Sequence, residues 1–209
     1  MCGGSYDAAV AGGRAGRLAI GGLLGPAAFV SAWTAGSIQS RSRGYSAVSD
    51  AISRLAAVGA PTRPLMTAGF VGFGLAVPVY AVALERALPS RAGVAAAVSG
   101  VATLAVAALP LDHSATVDRW HGIAAGIGYI GLAATPLLAA PALAREGRTT
   151  AARASWAAGL ASSACLVATL AGSAHGLFQR LGLTVGDVWI AASAVAILRG
   201  RLGGRAVSG

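Results

Sequence analysis

Residues 120–143 read WHGIAAGIGYIGLAATPLLAAPAL, a run of 24 residues with one histidine and no Asp, Glu, Lys or Arg. A helix needs about 20 predominantly apolar residues to cross the roughly 30 Å hydrocarbon core of a bilayer. Because lipid offers no hydrogen-bond partners to an open backbone, a segment that spans it as a single run is helical. This stretch therefore predicts a transmembrane helix.

The composition of the whole chain agrees with that prediction. Of the 209 residues, 56% are hydrophobic and 11% are charged, and the mean hydropathy is +0.69. An average soluble domain carries roughly a quarter charged residues, so a soluble globule is excluded. The hydrophobicity also excludes intrinsic disorder. Two cysteines, Cys2 and Cys165, are too few for a disulfide scaffold.

Five further apolar runs surround residues 120–143. Alternating strands of the outer-membrane type are absent from the sequence. We therefore predict an all-α fold, a six-helix transmembrane bundle, in which residues 18–199 form the membrane domain between cytoplasmic tails at 1–17 and 200–209. The predicted spans are residues 18–39, 64–84, 93–111, 120–143, 151–175 and 184–198.

The longest polar gap, residues 40–63, has a helical pattern of its own. Val48, Ile52, Leu55 and Ala56 recur at helical spacing, and Ser46 is a suitable N-cap. We predict a short amphipathic helix that lies at the membrane interface or folds back over the bundle.

The net charge of +9 follows the pattern expected for membrane orientation. All sixteen basic residues are Arg, and they lie between the apolar runs rather than in one dense stripe, which argues against nucleic acid as a partner. Ten Arg flank one end of the predicted bundle and six flank the other. Because cytoplasmic loops carry the excess of basic residues, we expect a multi-pass protein of the cell membrane with both termini in the cytoplasm.

The histidines and most acids concentrate at the opposite, outward-facing end. In PLDHSATVDRWHG, residues 110–122, Asp118 and His121 are three residues apart and share a helical face. They can therefore act together as a carboxylate and an oriented imidazole. Ordinary capping at a helix start is the alternative explanation, and the helix dipole alone accounts for Asp118.

The segment GSAHGLFQRLG, residues 172–182, closes the fifth predicted span. Gly176 is expected to end that helix, with His175 in its last turn, where an imidazolium is favoured. Arg180 then lies in a short outer loop, where it can reach a carboxylate or an anionic head group or simply sit at the interface. Asp187 falls in the first turn of the sixth span, where the helix dipole explains it.

These residues together predict an outward-facing polar pocket. Ionisable groups at membrane depth are unfavourable unless they are paired or face a cavity. Arg43 and Arg180 are candidate counter-charges, and the aromatic side chains near this end fit either a cation-stabilising wall or an ordinary interfacial belt. The candidates are Asp50, Asp112, Asp118, His121 and His175 for catalysis, and Trp33, Trp120, Phe178 and Arg180 for substrate binding.

Three functions fit such a pocket. The first is a membrane enzyme that applies acid–base chemistry to an apolar isoprenoid or lipid substrate, for which protonation-initiated terpene cyclisation is a suitable reaction. Asp112 or Asp118 would be the acid, and His121 or His175 the orienting group or final base. The second is a proton-coupled transporter using the same residues. The third is a non-catalytic membrane-assembly protein.

Other patterns carry less weight. GIGYIG, residues 126–131, fits GxGxxG but lies inside a predicted span, so it does not indicate a dinucleotide site. Gly21 with Gly25, and Gly122 with Gly126, predict close helix packing. The three histidines match no familiar metal or haem ligand spacing, and we predict neither a metal nor another cofactor.

The order of three short motifs resembles an uncharacterised bacterial family of multi-pass membrane proteins (domain of unknown function 998). The motifs are GYSAVSDAIS at residues 44–53, PLD…WHG at 110–122 and HGLFQRLG at 175–182. The resemblance covers about residues 18–198 and implies a six-span bundle, without implying a reaction. Many members of that family carry a second histidine one turn beyond the first, where this chain has Ala125.

Overall fold

The computed structural model describes residues 16–202. Within that range the chain is helical and has no β-strand. Two short 3-10 helices, Arg41–Arg43 and Ile52–Ala56, lie between the first and second α-helices. The six α-helices are α1 (Gly21–Ser40), α2 (Arg63–Ala87), α3 (Ala92–Ala108), α4 (Ala115–Arg145), α5 (Thr149–Ala168) and α6 (His175–Leu198).

Local sequence chemistry sets several helix ends. The Ser114 hydroxyl accepts a hydrogen bond from the Val117 N–H at 3.3 Å and so caps α4. Pro64 lies in the first turn of α2, where a backbone N–H has no helical partner to lose. Prolines inside membrane helices are tolerated because neighbouring helices accommodate the freed backbone groups. The internal prolines are Pro26, Pro78, Pro136 and Pro141.

The helices pack in chain order, and α1 also packs on α6, which closes the bundle. At Gly21 and Gly25 the approach of α1 to α2 is so close that an added Cβ would collide with Ala76 and Val77. This confirms the close packing predicted for that pair. Gly122 and Gly126 differ, because an added Cβ at either would meet no described atom within 4 Å. The packing predicted there is therefore wrong within the described chain.

Four helical segments are long and apolar enough to cross a membrane. The membrane character expected from the composition is therefore supported by the fold. Helix α3 is apolar but has 17 residues, about 25 Å of helix, and α5 is not among the four. The four candidate spans are Gly16–Arg43, Arg63–Ala87, Ala115–Arg145 and His175–Leu198.

The boundary between the last two helices differs from the prediction. Helix α5 ends at Ala168 and α6 begins at His175, nine residues before the predicted sixth span. Gly172, with φ of +79°, lies in the connecting turn and breaks the helix there. Gly176, expected to end α5, instead lies in the first turn of α6, where an added Cβ would collide with the Asp50 carbonyl oxygen.

The polar gap between α1 and α2 forms a shorter element than predicted. A turn at residues 47–49 leads into the 3-10 helix Ile52–Ala56, in which Ile52, Leu55 and Ala56 are buried. We call residues 44–56 the cap segment. It contacts the first turn of α6, because the Leu177 N–H donates to Val48 O at 2.9 Å. Just beyond the segment, the Val58 N–H donates at 2.9 Å to Leu111 O in the connection between α3 and α4.

Parts of the sequence-based description fall outside residues 16–202. Both predicted tails, 1–17 and 200–209, lie mostly beyond this range. Cys2 also lies outside this range.

Candidate functional site

A cavity of about 50 Å³ lies inside the bundle beneath the cap segment. Every α-helix except α5 contributes to its wall. Most of the wall is apolar, with three phenylalanine rings from α1 and α2. The apolar lining residues are Phe29, Ile52, Phe70, Phe73, Val106, Ala124, Ala125, Gly128, Leu132 and Leu183, and the polar ones are Ser53, Ser99, Thr103, His121, Tyr129, Gln179 and Asp187.

His121 is held in a defined orientation at this cavity. Its side chain is 4% exposed, and its Nδ1 lies 2.6 Å from the carbonyl oxygen of Leu109, at the end of α3. A carbonyl only accepts hydrogen bonds, so Nδ1 carries the proton and Nε2 carries the free lone pair. Nε2 is buried and has no hydrogen-bond partner among residues 16–202. The imidazole is therefore oriented by one nitrogen and available through the other.

Asp187 is the second unpartnered group in the cavity wall. It is 2% exposed, and neither carboxyl oxygen has a hydrogen-bond partner in the part of the chain that the structure describes. The prediction that it lies in the first turn of its helix is wrong, because α6 begins at His175, twelve residues or about 18 Å earlier. At that depth an isolated carboxylate is strongly disfavoured. The group is stable there as a neutral acid or with a bound polar or cationic ligand.

A hydrogen-bonded chain connects the cavity wall to the cap segment. The Gln179 amide oxygen accepts from the Ile52 N–H at 2.8 Å, and the Gln179 Nε2 donates to the Tyr129 hydroxyl. Both side chains line the cavity. Tyr129 is thus fixed to the cap segment through one glutamine.

Arg180 lies in α6 and not in an outer loop, so its predicted location is wrong. The side chain is 6% exposed and its Nη1 donates to the carbonyl oxygens of Ala47, Asp50 and Gly176 at 2.8–2.9 Å. Its Nη2 donates to the Tyr45 hydroxyl. The guanidinium carbon also lies 5.6 Å from the ring centroids of Trp33 and of Tyr45.

We call Arg180, Tyr45 and Trp33 the arginine clamp. Burial raises the pKa of the Tyr45 phenol, and the nearby Arg180 guanidinium acts against that rise. The clamp fastens the cap segment to the start of α6 through backbone carbonyl groups. Its contacts within the chain are those of a structural cation.

The three predicted acids do not line the cavity. Asp50 accepts from the Ser46 N–H at 2.7 Å, which closes a turn in the cap segment. Asp112 is exposed, has φ of +63° and forms an ion pair with Arg54 at 2.9 Å. Asp118 accepts from the Asp112 N–H at 3.0 Å and lies close enough to His121 to interact with it electrostatically.

The remaining candidates are also spread over this end of the bundle. His175 is half-buried at the first position of α6, and Phe178 is half-buried one turn further on. Trp120 is 56% exposed and borders a surface groove with Arg119. Of the five predicted catalytic residues, the structure brings only His121 to the cavity, and none of the four predicted substrate-binding residues lines it.

The three polar cavity residues that matter most for the proposed chemistry, Asp187, Gln179 and Tyr129, were not among the predicted site residues. A signal for two of them exists, because Gln179, Leu183 and Asp187 recur at intervals of four and share one face of α6. That face becomes recognisable only when the helix is begun at His175. Nothing comparable in the sequence distinguishes Tyr129 from an interfacial aromatic residue.

The chain belongs to the family described as Protein of unknown function (DUF998), whose model matches residues 23–196. This match confirms the resemblance that the three short motifs indicated. Neither the curated proteins nor the solved structures contain a match to this chain.

Proposed function

We propose that the protein is an integral membrane enzyme that performs acid–base chemistry on an apolar isoprenoid or lipid substrate inside the bundle. One observation carries this proposal. The carboxyl group of Asp187 and the Nε2 of His121, both buried and both without a partner among the described residues, line the same apolar, aromatic-walled cavity. Pairs of oriented, desolvated titratable groups are typical of acid–base sites.

In this proposal Asp187 is the acid and His121 is the base. The neutral carboxyl delivers its proton to one carbon of a substrate alkene, so that a C–H bond forms and the π bond breaks. The phenylalanine faces of the wall stabilise the resulting carbocation. The alkene of the product forms when the His121 Nε2 removes a proton from a neighbouring carbon. Transfer of that proton back to Asp187 resets the site, so the cyclisation or isomerisation consumes no co-reactant.

The assignment of the acid departs from the sequence-based hypothesis. Asp112 or Asp118 was the candidate acid there, and only Asp118 was linked to a histidine by its spacing, three residues before His121. The geometry favours Asp187, because the carboxylates of Asp50, Asp112 and Asp118 already accept hydrogen bonds. Of these three, Asp118 interacts electrostatically with His121. In this proposal the negative charge of Asp118 influences the charge of the His121 imidazole.

We further propose that all six helices cross the cell membrane, with the cap segment outside and both termini in the cytoplasm. Two features support six spans: α3 is apolar, and α5 packs between α4 and α6. In a cysteine-free background, Ser114→Cys should react with an impermeant maleimide added outside, and Thr150→Cys should not. The reverse pattern would invert the orientation.

A proton-coupled transporter is the second candidate. The observation that favours it is the spacing in depth of the two unpartnered groups, since Asp187 lies about 18 Å from the start of α6 and His121 about 9 Å from the start of α4. Ionisable groups at successive depths are typical of proton relays.

The decisive experiment compares single-residue variants in lipid nanodiscs with a panel of polyprenyl substrates. Asp187→Asn keeps the shape of the side chain but removes the acid, so turnover should fall by about 10²–10⁴-fold. Asp112→Asn is the matched control and should retain most activity. Equal turnover by wild type and Asp187→Asn would refute the proposed mechanism.

Transport is separated from catalysis in sealed vesicles. The wild-type protein could form no product but acidify vesicles loaded with a pH-sensitive dye, while Asp187→Asn fails to acidify them. That result would support a proton-coupled transporter and refute the proposed enzyme. Absence of both activities would favour the assembly protein.

A further inference from the structure

A second space lies on the outside of the bundle, between α4 and α5. It is a groove of about 480 Å³, within the range of ordinary ligand pockets. Along α4 it extends from Gly122 to Leu137, fifteen residues or about 22 Å of helix. Its α5 wall runs from Ser163 to the turn at Leu170, so the groove occupies the half of the bundle nearer the cap segment.

The groove exists because the α4 side chains along its floor are small. Gly122 and Gly126 have no described atom within 4 Å of an added Cβ, and Ala133 and Ala134 continue the same wall. The rim carries large exposed apolar side chains, among them Ile130, which is 72% exposed. In a chain that spans the bilayer, this surface faces hydrocarbon, so the natural occupant is an apolar chain.

Among residues 16–202, Tyr129 alone lines both the groove and the inner cavity. Its ring therefore separates the hydrocarbon-facing groove from the space that holds the unpartnered Asp187 and His121. Its hydroxyl is tied through Gln179 to the cap segment. The inner cavity, at about 50 Å³, has room for on the order of three or four water molecules. A substrate larger than that must displace part of the wall.

We infer that the groove is a lateral entry site for an isoprenoid chain, and that Tyr129 is the gate between it and the inner cavity. The inference rests on the proposed function, and it adds the route and the substrate class. The chain lies along Gly122 and Gly126, and rotation of the Tyr129 ring joins the two spaces so that an alkene reaches Asp187.

An isoprenoid fits the site better than a saturated acyl chain for a chemical reason. Protonation of a trisubstituted alkene gives a tertiary carbocation, which aromatic faces such as those of Phe29, Phe70 and Phe73 stabilise. A saturated chain offers a carboxylic acid nothing to protonate. The polar groups of the cavity thus have a reaction partner only when the chain is unsaturated.

The test is photo-crosslinking in phosphatidylcholine vesicles. The probe is a C20 isoprenoid alcohol carrying a diazirine, and the comparison arm uses phosphatidylcholine with a diazirine in its acyl chain. Labelled peptides are mapped by mass spectrometry in wild type and in Gly126→Leu, whose side chain enters open space and fills the groove. The matched control, Ala27→Leu, introduces the same side chain at an exposed position of α1 outside both spaces.

We expect the isoprenoid probe to label groove and cavity peptides in wild type, with about a tenfold loss of that labelling in Gly126→Leu. Ala27→Leu should be labelled like wild type. Tyr129→Phe keeps the ring but loses the bond from Gln179, so the share of label in the cavity should rise. Uniform labelling of all lipid-facing helices, equal labelling by the acyl probe, or undiminished labelling of Gly126→Leu would overturn the inference.

Two further measurements, the oligomeric state of Gly126→Leu and the labelling of Asp187→Asn, distinguish this inference from its alternatives. If Gly126→Leu converts a dimer into a monomer, the groove is a contact between two copies of the chain and the inference fails. Asp187→Asn should be labelled like wild type, because entry does not require the acid. Groove-specific labelling without turnover would support lateral entry and refute the proposed enzyme. Full turnover by Gly126→Leu would refute lateral entry and support the proposed enzyme.

Discussion

Helix α6 buries two ionisable side chains, Arg180 and Asp187, in contrasting environments. Arg180 donates to three backbone carbonyls and a phenol and faces two aromatic rings. Asp187, seven residues later, has no hydrogen-bond partner within residues 16–202. Removing a buried donor that several acceptors share leaves those acceptors unsatisfied, whereas a buried polar group that already lacks partners lowers the stability of the fold as it stands. The part of α6 that carries Arg180 is therefore structural, whereas the part that carries Asp187 belongs to the candidate site.

The largest effect should come from breaking the arginine clamp. Arg180→Met removes the guanidinium and leaves the carbonyls of Ala47 and Asp50 without their donor. We expect the free energy of unfolding in micelles to fall by about 2–5 kcal/mol, because each buried acceptor that loses its donor costs about 1–3 kcal/mol. Arg43→Met, at an exposed position, is the control and should change it by less than about 0.5 kcal/mol. Equal stability of the two variants would show that the clamp is not structural.

An intermediate effect of opposite sign is expected at Asp187. Asp187→Val replaces an unpartnered polar group by an apolar one of similar shape, so the same unfolding measurement should show a gain of about 1–3 kcal/mol. Activity should be lost in the same variant. Asp50→Val serves as the comparison, because it takes the acceptor from the Ser46 N–H and should destabilise. A loss of stability in Asp187→Val would mean that the carboxyl has a structural partner.

The smallest effect belongs to the exposed ion pair of Asp112 and Arg54, whose side chains are 49% and 54% exposed. Asp112→Asn tolerates the positive φ and removes only the charge. The loss of stability should be about 0–1 kcal/mol and should vanish in high salt. A loss of several kcal/mol that does not depend on salt would show that this ion pair stabilises the fold as the arginine clamp does.

The all-helical character of the fold followed from the sequence, because long apolar runs have few alternatives in lipid. The site followed less well, and the reason lies in residues 168–184. Apolar composition continues from Ala168 through Leu170, so hydropathy did not locate the helix end that the Gly172 turn imposes. Starting α6 nine residues too late moved Arg180 into a loop and Asp187 to a helix start. His121, which was predicted to face a pocket because it lies one residue into an apolar span, does line the cavity.

The long-range bonds of the cap segment also set the order in which the protein can be assembled. Its anchors, Gln179 and Arg180, follow it in the sequence by 127 to 133 residues. At about 5–20 residues per second, the ribosome supplies them roughly 6–27 s after the cap segment has been made. Until then the cap segment lacks its hydrogen bonds to α6, and the cavity lacks the wall that α6 supplies. A chain interrupted before residue 175 therefore keeps the cap segment packed on α1 and α2 but leaves its backbone carbonyl groups at Ala47 and Asp50 without the Arg180 donor.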